Sequence, residues 1–411
     1  MDITETSKSL ITFFINKKCV IPIKQTKSTK NILLKLYDNI NKAHSFIREC
    51  KKNEKSNFFK LKIKKINNIS QIPIPKSFNL SSFPPGVKEH INKTTTFSLS
   101  YTFSLFNREI TIYFTVEDNT TLIQNEIYNE YVEKILVWLY IVTMYSSKQC
   151  CKKIDLFLYL TLLKKELPKN NIDVIDQIHV NTGFTYTCPV DSEIVIFRKE
   201  EWFKVLMHET IHNFSLDFSD MNCSAATSRI LSIFKIDSKI NLYESYTEFW
   251  AEIMNVIFCS YYLNNSSINE KIFLENFDFF INIEITFKIF QMLKILQFLG
   301  LSYKDLYSNN SKTSLFKEKT NVFAYYVITT ILMNNYQGFL SWCDSNNNTI
   351  IQFKKTPQNI TEFCNFIENN YKTRNIINYI NCMQDSLTKI KKNKNIPFIL
   401  NNMRMTLCEM G

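Results

Sequence analysis

The chain has 411 residues, 45% of them hydrophobic, and a formal net charge of +11. That apolar content supports a substantial packed core and excludes an intrinsically disordered protein. Asn, Lys and Ile are heavily used and Gly is scarce, a compositional bias that weakens any functional reading of the charge.

Along the chain, Asn31 to Arg48 reads as a helix, followed by a lysine-rich stretch. Pro73, Pro75, Pro84, Pro85 and Gly86 mark residues 71–87 as a linker or long extended loop. Thr94 to Phe106 and Glu109 to Val116 alternate and read as a hairpin turning at Asn107-Arg108. Leu122 to Met144 reads as a long helix, and Ile154 to Thr161 as a strand or the start of a helix. Glu193 to Arg198 is β-branched and alternating, the pattern of a strand. Lys199 to Phe214 then carries Trp202, Phe203, Leu206, Met207 and Ile211 in the pattern of a buried amphipathic helix, with Glu200 and Glu201 in its first turn. Asn241 to Met254, Ile272 to Leu299, Asn321 to Trp342, Ile360 to Tyr371 and Thr373 to Lys391 read as further helices. The predicted class is α+β. Residues 1–87 form a helical, basic region and linker, 88–218 a mixed half with a small sheet, and 219–411 a mainly helical half.

No apolar run reaches about 18 residues, so no transmembrane helix is expected, and Leu10 to Ile15 is too short for the core of a secretory signal. Lys51-Lys52, Lys60 to Lys65 and Lys389 to Lys394 read as solvated faces; no nucleic-acid motif accompanies them, so nucleic acid is not an expected partner. The 11 cysteines include no C-x-x-C pair, only the vicinal Cys150-Cys151, and read as reduced thiols of a cytoplasmic protein. Frequent Asn-x-Ser/Thr triplets follow from the Asn content rather than from glycosylation.

The chemistry is concentrated at His208-Glu209-Thr210-Ile211-His212, in a chain with only 5 histidines. On a helix, two His four residues apart point the same way and suit one Zn²⁺, with the intervening Glu beside a metal-activated water. A site of this kind needs a third protein ligand. No His follows His212, and Ser215 and Phe218 stand where the metzincin continuation has Gly and His, so a carboxylate from a second helix is the remaining choice. Glu244, Glu248 and Glu252 recur every four residues on one face of an otherwise apolar helix, where carboxylates are costly unless paired or metal-bound.

Thr247-Glu248-Phe249-Trp250-Ala251-Glu252 resembles the second-helix signature of gluzincin metallopeptidases, in which the Glu of an N-E-x-x-A/S segment is the third zinc ligand. The resemblance implies Glu248 as that ligand and Glu252 as the group that orients a ligand histidine. Thr247 replaces the usual Asn, and the long gap from His212 implies an insertion around 219–240, so Glu244 as ligand with Glu248 behind it is the alternative register. The resemblance further implies a zincin-like fold, with the active site in a cleft between the two halves. Asn181-Thr182-Gly183-Phe184-Thr185 and Glu200 to Val205, leading into H-E-x-x-H, are similar to an uncharacterised metallopeptidase family of large cytoplasmic DNA viruses, over residues 172–260 and 315–345. That likeness implies a viral protein of the host cytoplasm or the virion.

The parts imply a zinc-dependent peptidase acting on a peptide or protein substrate. His208, His212 and Glu248 would hold Zn²⁺, and Glu209 would be the general base. Tyr325 or Tyr326 would be the oxyanion donor, a role for which core aromatics are the competing account. Residues 181–185 form either a hairpin turn or an edge strand for an extended peptide, with Gly183 permitting close approach. Arg198 and Lys199 read as surface charges at a strand end, or as partners of a substrate carboxylate. The alternative function is a zinc-stabilised structural or virion-associated protein without turnover. Glu209 is the discriminator, because a structural site has no use for it.

Overall fold

The computed structural model describes residues 3–16, 22–55, 58–78, 82–117, 125–263, 269–308, 311–391 and 397–411. Six strands are present: β1 (Lys60–Lys65), β2 (Phe97–Leu105), β3 (Arg108–Val116), β4 (Lys153–Thr161), β5 (Gly183–Thr185) and β6 (Asp191–Arg198). The helices are α1 (Glu5–Ile15), α2 (Lys27–Glu54), α3 (Val87–Thr94), α4 (Asn125–Tyr145), α5 (Gln177–Val180), α6 (Trp202–Asn213) and α7 (Ser224–Ile233). They continue as α8 (Leu242–Tyr262), α9 (Glu270–Phe298), α10 (Thr329–Asn334), α11 (Tyr336–Asn346), α12 (Pro357–Asn370), α13 (Arg374–Lys391) and α14 (Pro397–Asn401). The chain is therefore α+β with one small mixed sheet, as the sequence pattern predicts.

Two compact units divide the chain. Residues 35–164 and 181–216 form the sheet unit. Its strand order is β1-β2-β3-β4-β6-β5. The β3–β4 and β4–β6 pairs are parallel, and the others are antiparallel. The β2–β3 hairpin turns at Phe106 and Asn107, both at positive φ (60° and 56°), the backbone of a tight hairpin turn. Ile154 to Thr161 resolves as strand β4 because it is buried on both faces between β3 and β6. The lysine-rich stretch is edge strand β1, whose charged residues discourage pairing with another chain.

Residues 1–34, 165–180 and 217–411 form the helical unit. Helix α9 runs through it, and the segment 403–408 is buried although it has no helix or strand of its own. Such a segment must have its backbone groups answered by side chains. Glu284 of α9 accepts the N–H groups of Leu407 (2.8 Å) and Cys408 (3.2 Å), Gln291 donates to Arg404 O (2.6 Å), and Asn255 of α8 donates to Cys408 O (2.7 Å). Burial raises the Glu284 pKa. No helix of the described residues is long and apolar enough to cross a membrane.

Several expectations are corrected. Helix α1, strand β1 and helix α3 were not anticipated, and the first hairpin strand begins at Phe97 rather than Thr94. The expected helix from Asn321 to Trp342 is three pieces: a π-turn at Phe323–Ile328, then α10 and α11. The cysteines are not all thiols: Cys150 and Cys188 form a disulfide with their Cα atoms 4.7 Å apart, and Cys382 is also disulfide-bonded. A sequence separation of 38 residues hides the first pairing, which the sheet creates by bringing the start of β4 beside the β5–β6 connection.

Glu284 provides a test of how the 403–408 segment is held. Glu284→Leu strands two buried N–H groups and is expected to lower stability in urea unfolding by about 2–4 kcal/mol. A loss below about 1 kcal/mol would show that other groups hold the segment.

Candidate metal centre

Helix α6 has twelve residues and all are buried. It begins after Glu201, which stands at the N-cap with φ 60° and gives no side-chain cap, so the acids precede the helix instead of occupying its first turn. Trp138 of α4 donates to Thr210 Oγ1 (2.7 Å), and that hydroxyl donates to Leu206 O (2.7 Å). This fixes the rotation of α6 between its two histidines. The helix ends in a Schellman motif: Leu216 N donates to Ile211 O and Ser215 N to His212 O, both at 2.9 Å. Ser215 has φ 57°, the left-handed position usually filled by Gly.

The imidazoles of His208 and His212 present their Nε2 atoms to each other at 3.1 Å. Two imidazole nitrogens on one tetrahedral Zn²⁺ stand roughly 3.3 Å apart, given Zn–N bonds of about 2.05 Å. Ligand atoms of His208, His212 and Glu244 all lie within 4.8 Å of one another, and this buried group could hold a metal ion. The carboxylate in the group is Glu244, the alternative register, and not Glu248. An N, N, O donor set in a buried site fits zinc, among other borderline cations.

Glu244 lies in the first turn of α8. Its Oε1 accepts from Asn321 Nδ2 (2.9 Å) and its Oε2 from the Tyr325 hydroxyl (2.9 Å). Asn241 donates in turn to Asn321 Oδ1 (3.0 Å). Glu248 is buried at 1% exposure, and Glu252, fully buried, pairs with Lys288 at 2.6 Å. The two tyrosines part company: Tyr325 reaches Glu244, whereas the Tyr326 hydroxyl donates to Met403 O (2.6 Å) in the core.

The sheet unit supplies the surroundings of Glu209. Residues 183–185 are edge strand β5, not a plain turn. A Cβ built on Gly183 would stand 2.7 Å from Val195 O and 3.1 Å from Glu209 Cγ, so the strand passes directly over the glutamate. Asn213, next to His212, ties the end of α6 to that strand. Its amide donates to Thr185 Oγ1 (2.9 Å) and Tyr186 O (3.0 Å), and its Oδ1 accepts from Ser192 (2.6 Å) and Cys151 (2.9 Å). An asparagine held in this way is not presented for glycosylation. Arg198 is buried and donates to Asn181 O, so it is not a surface charge; Lys199 remains exposed.

Asn321, Asn241, Asn213 and Lys288 were missed by the sequence reading. Only Lys288 carries a signal, a cation inside the apolar run of α9 that it shares with Lys294; asparagines are too common in this chain to stand out. Compared with protein-family models, curated proteins and solved structures, the chain matches none.

A pocket of about 440 Å³ has Ser238, Asn241, Glu318 and the Glu244 partner Asn321 in its lining. Burial pushes the Glu318 carboxyl up from its ordinary 4.5 to about 7, against the opposing bonds from Ser238 and the Phe323 N–H. Between those values the folded protein holds a proton that the unfolded chain releases. Stability is therefore expected to fall as pH rises from 4.5 to 7. The melting temperature of Glu318→Gln should lack this part of the decline; identical pH profiles for the two proteins would refute it.

Gly183→Ala tests the close approach of β5. Overpacking against Val195 O is expected to cost about 1–3 kcal/mol and to displace Glu209. Wild-type stability in thermal melts would show that the strand can move aside.

Proposed function

We propose that the chain is a zinc-dependent peptidase of gluzincin type, with His208, His212 and Glu244 as metal ligands and Glu209 as general base. The observation that carries the reading is the convergence of two facing Nε2 atoms and one buried carboxylate, with a further, non-ligating glutamate between the histidines. A zincin-like arrangement belongs to the same proposal. It is supported by a sheet whose antiparallel edge strand β5 borders the H-E-x-x-H helix.

In this reading a bound zinc supplies Lewis acidity, polarising a carbonyl and acidifying water. Glu209 accepts the proton of the attacking water and returns it to the leaving nitrogen. Gly183 and Thr185 alternate with Phe184, which faces Val195 of β6. The Phe197 N–H bonds Thr182 O, and this sets the alternation so that the backbone groups of Gly183 and Thr185 point off the sheet edge. An extended peptide could pair there, close to Glu209. Tyr325 acts on Glu244, holding a proposed ligand carboxylate with a neutral donor; Tyr326, bonded to Met403 O, has no part.

The burial of all three proposed ligand residues favours a second reading, a zinc-stabilised structural or virion-associated protein. For localisation we propose the cytoplasm or a virion; the Cys150–Cys188 disulfide weighs against a strongly reducing setting.

The test is zinc content per chain, together with hydrolysis of a quenched peptide library. Wild type is expected to carry about one zinc per chain, retained in Glu248→Ala and lost in Glu244→Ala. Glu209→Gln should keep zinc and lose hydrolysis. Zinc without hydrolysis in wild type selects the structural reading, and wild type without zinc after refolding with metal removes both.

A further inference from the structure

Helix α9 carries a lysine that the chemistry above does not use. Lys288 and Glu252 form an ion pair at 2.6 Å, and both side chains are fully buried. Replacing such a pair with apolar side chains of the same volume is often neutral or stabilising, so stability alone is a poor reason for it. What the lysine does besides meeting Glu252 is donate to the backbone carbonyl of Tyr325 (3.1 Å).

That carbonyl belongs to the π-turn Phe323–Ile328. A π-turn replaces the i→i+4 bonding of a helix with wider i→i+5 bonds, and such turns recur at functional sites. Here two of its carbonyls are capped from outside the backbone ladder: Ala324 O by Thr329 Oγ1 (2.9 Å) and Tyr325 O by Lys288 Nζ. The turn's two tyrosines end in different places, Tyr325 on Glu244 Oε2 and Tyr326 on Met403 O, so the rotation of the turn decides where each hydroxyl goes. The Lys288 ammonium also lies 5.6 Å from the Tyr326 ring centre.

We infer that the Lys288–Glu252 pair is a positioning device for the metal centre: it locks the π-turn so that the Tyr325 hydroxyl stays on Glu244. This rests on the reading of Glu244 as a metal ligand. Glu252 is held by Lys288, Lys288 holds the Tyr325 backbone, and the Tyr325 hydroxyl holds the Glu244 carboxylate. Residues that orient metal ligands in this way commonly change metal affinity by about 10–100-fold when removed.

The experiment is a mutant cycle on the full chain, read as Zn²⁺ affinity by chelator competition and as melting temperature. Tyr325→Phe is expected to weaken zinc about tenfold, and Glu252→Leu/Lys288→Met, which removes both charges at similar volume, to do the same. The three changes together should also cost about tenfold and not about a hundredfold, because the pair acts through the tyrosine. Glu252→Gln, which keeps an acceptor on Lys288, should stay within about threefold of wild type. Wild-type zinc affinity in the double variant, or losses that multiply in the triple, would falsify the inference. If the double variant does not fold, Thr329→Val loosens the same turn without touching a buried charge. It is expected to weaken zinc about threefold in the wild-type background and not in Tyr325→Phe; equal weakening in both overturns the inference. Absence of zinc from wild type is a separate result, seen before any variant is made, and defeats the ligand reading itself.

Discussion

Helix α6 has no solvent face, so every polar group it carries must be answered inside the protein. Thr210 is answered by Trp138 and by the carbonyl one turn back. Asn213 is answered by Cys151 ahead of β4, by Ser192 of β6 and by the end of β5. The two imidazoles face each other with their Nε2 atoms 3.1 Å apart, where two acceptor nitrogens would set lone pair against lone pair. Either a proton or a cation must lie on that line. The Glu244 carboxylate in the same group adds negative charge, which favours either positive occupant. The demand extends outward, since a strand can run over Glu209 only if residue 183 has no Cβ.

Helix α8 solves a related problem. It buries three carboxylates, Glu244, Glu248 and Glu252, in four-residue steps. Glu252 is neutralised by the Lys288 ammonium, while Glu244 is met on its two oxygens by the amide of Asn321 and the phenol of Tyr325. Those neutral donors orient a carboxylate and lower the cost of burying it, but they leave its charge in place. A carboxylate held this way is available to a cation, and one paired with lysine is not. Glu244 and Glu252 therefore differ in their partners, although both stand on the same helix face.

The sequence made some of this legible and concealed the rest for physical reasons. Period and β-branching disclose the β2–β3 hairpin, strand β6 and helices α4, α6, α8 and α9, because each buries one face or all faces with apolar side chains. Strand β1 is hidden because its alternation is only two residues long, Leu61 and Ile63 between lysines, and it buries little. The π-turn is hidden because its apolar run is indistinguishable from an α-helix by period, and its carbonyls meet Thr329 Oγ1 and the distant Lys288 Nζ, bonds that no period reveals. The Cys150–Cys188 pair is hidden because sheet order, not spacing, brings the two together. The histidines and Glu209 are fully legible, since their relation is local to one helix.

The third ligand of the proposed centre is the one part that no local rule decides. Glu244 and Glu248 share a face of α8, and a four-residue step along a helix is about 6 Å. The group whose ligand atoms gather within 4.8 Å contains Glu244 and not Glu248. Between α6 and α8 the chain contains helix α7 and the left-handed Ser215. Neither has a strong sequence signature: Ser is an unusual residue for that backbone, and α7 starts without a side-chain cap. A motif read from residue types alone therefore settles on Glu248, which has the gluzincin-like neighbours. The groups that distinguish Glu244, Asn321 and Tyr325, lie nearly eighty residues away, at separations of 77 and 81.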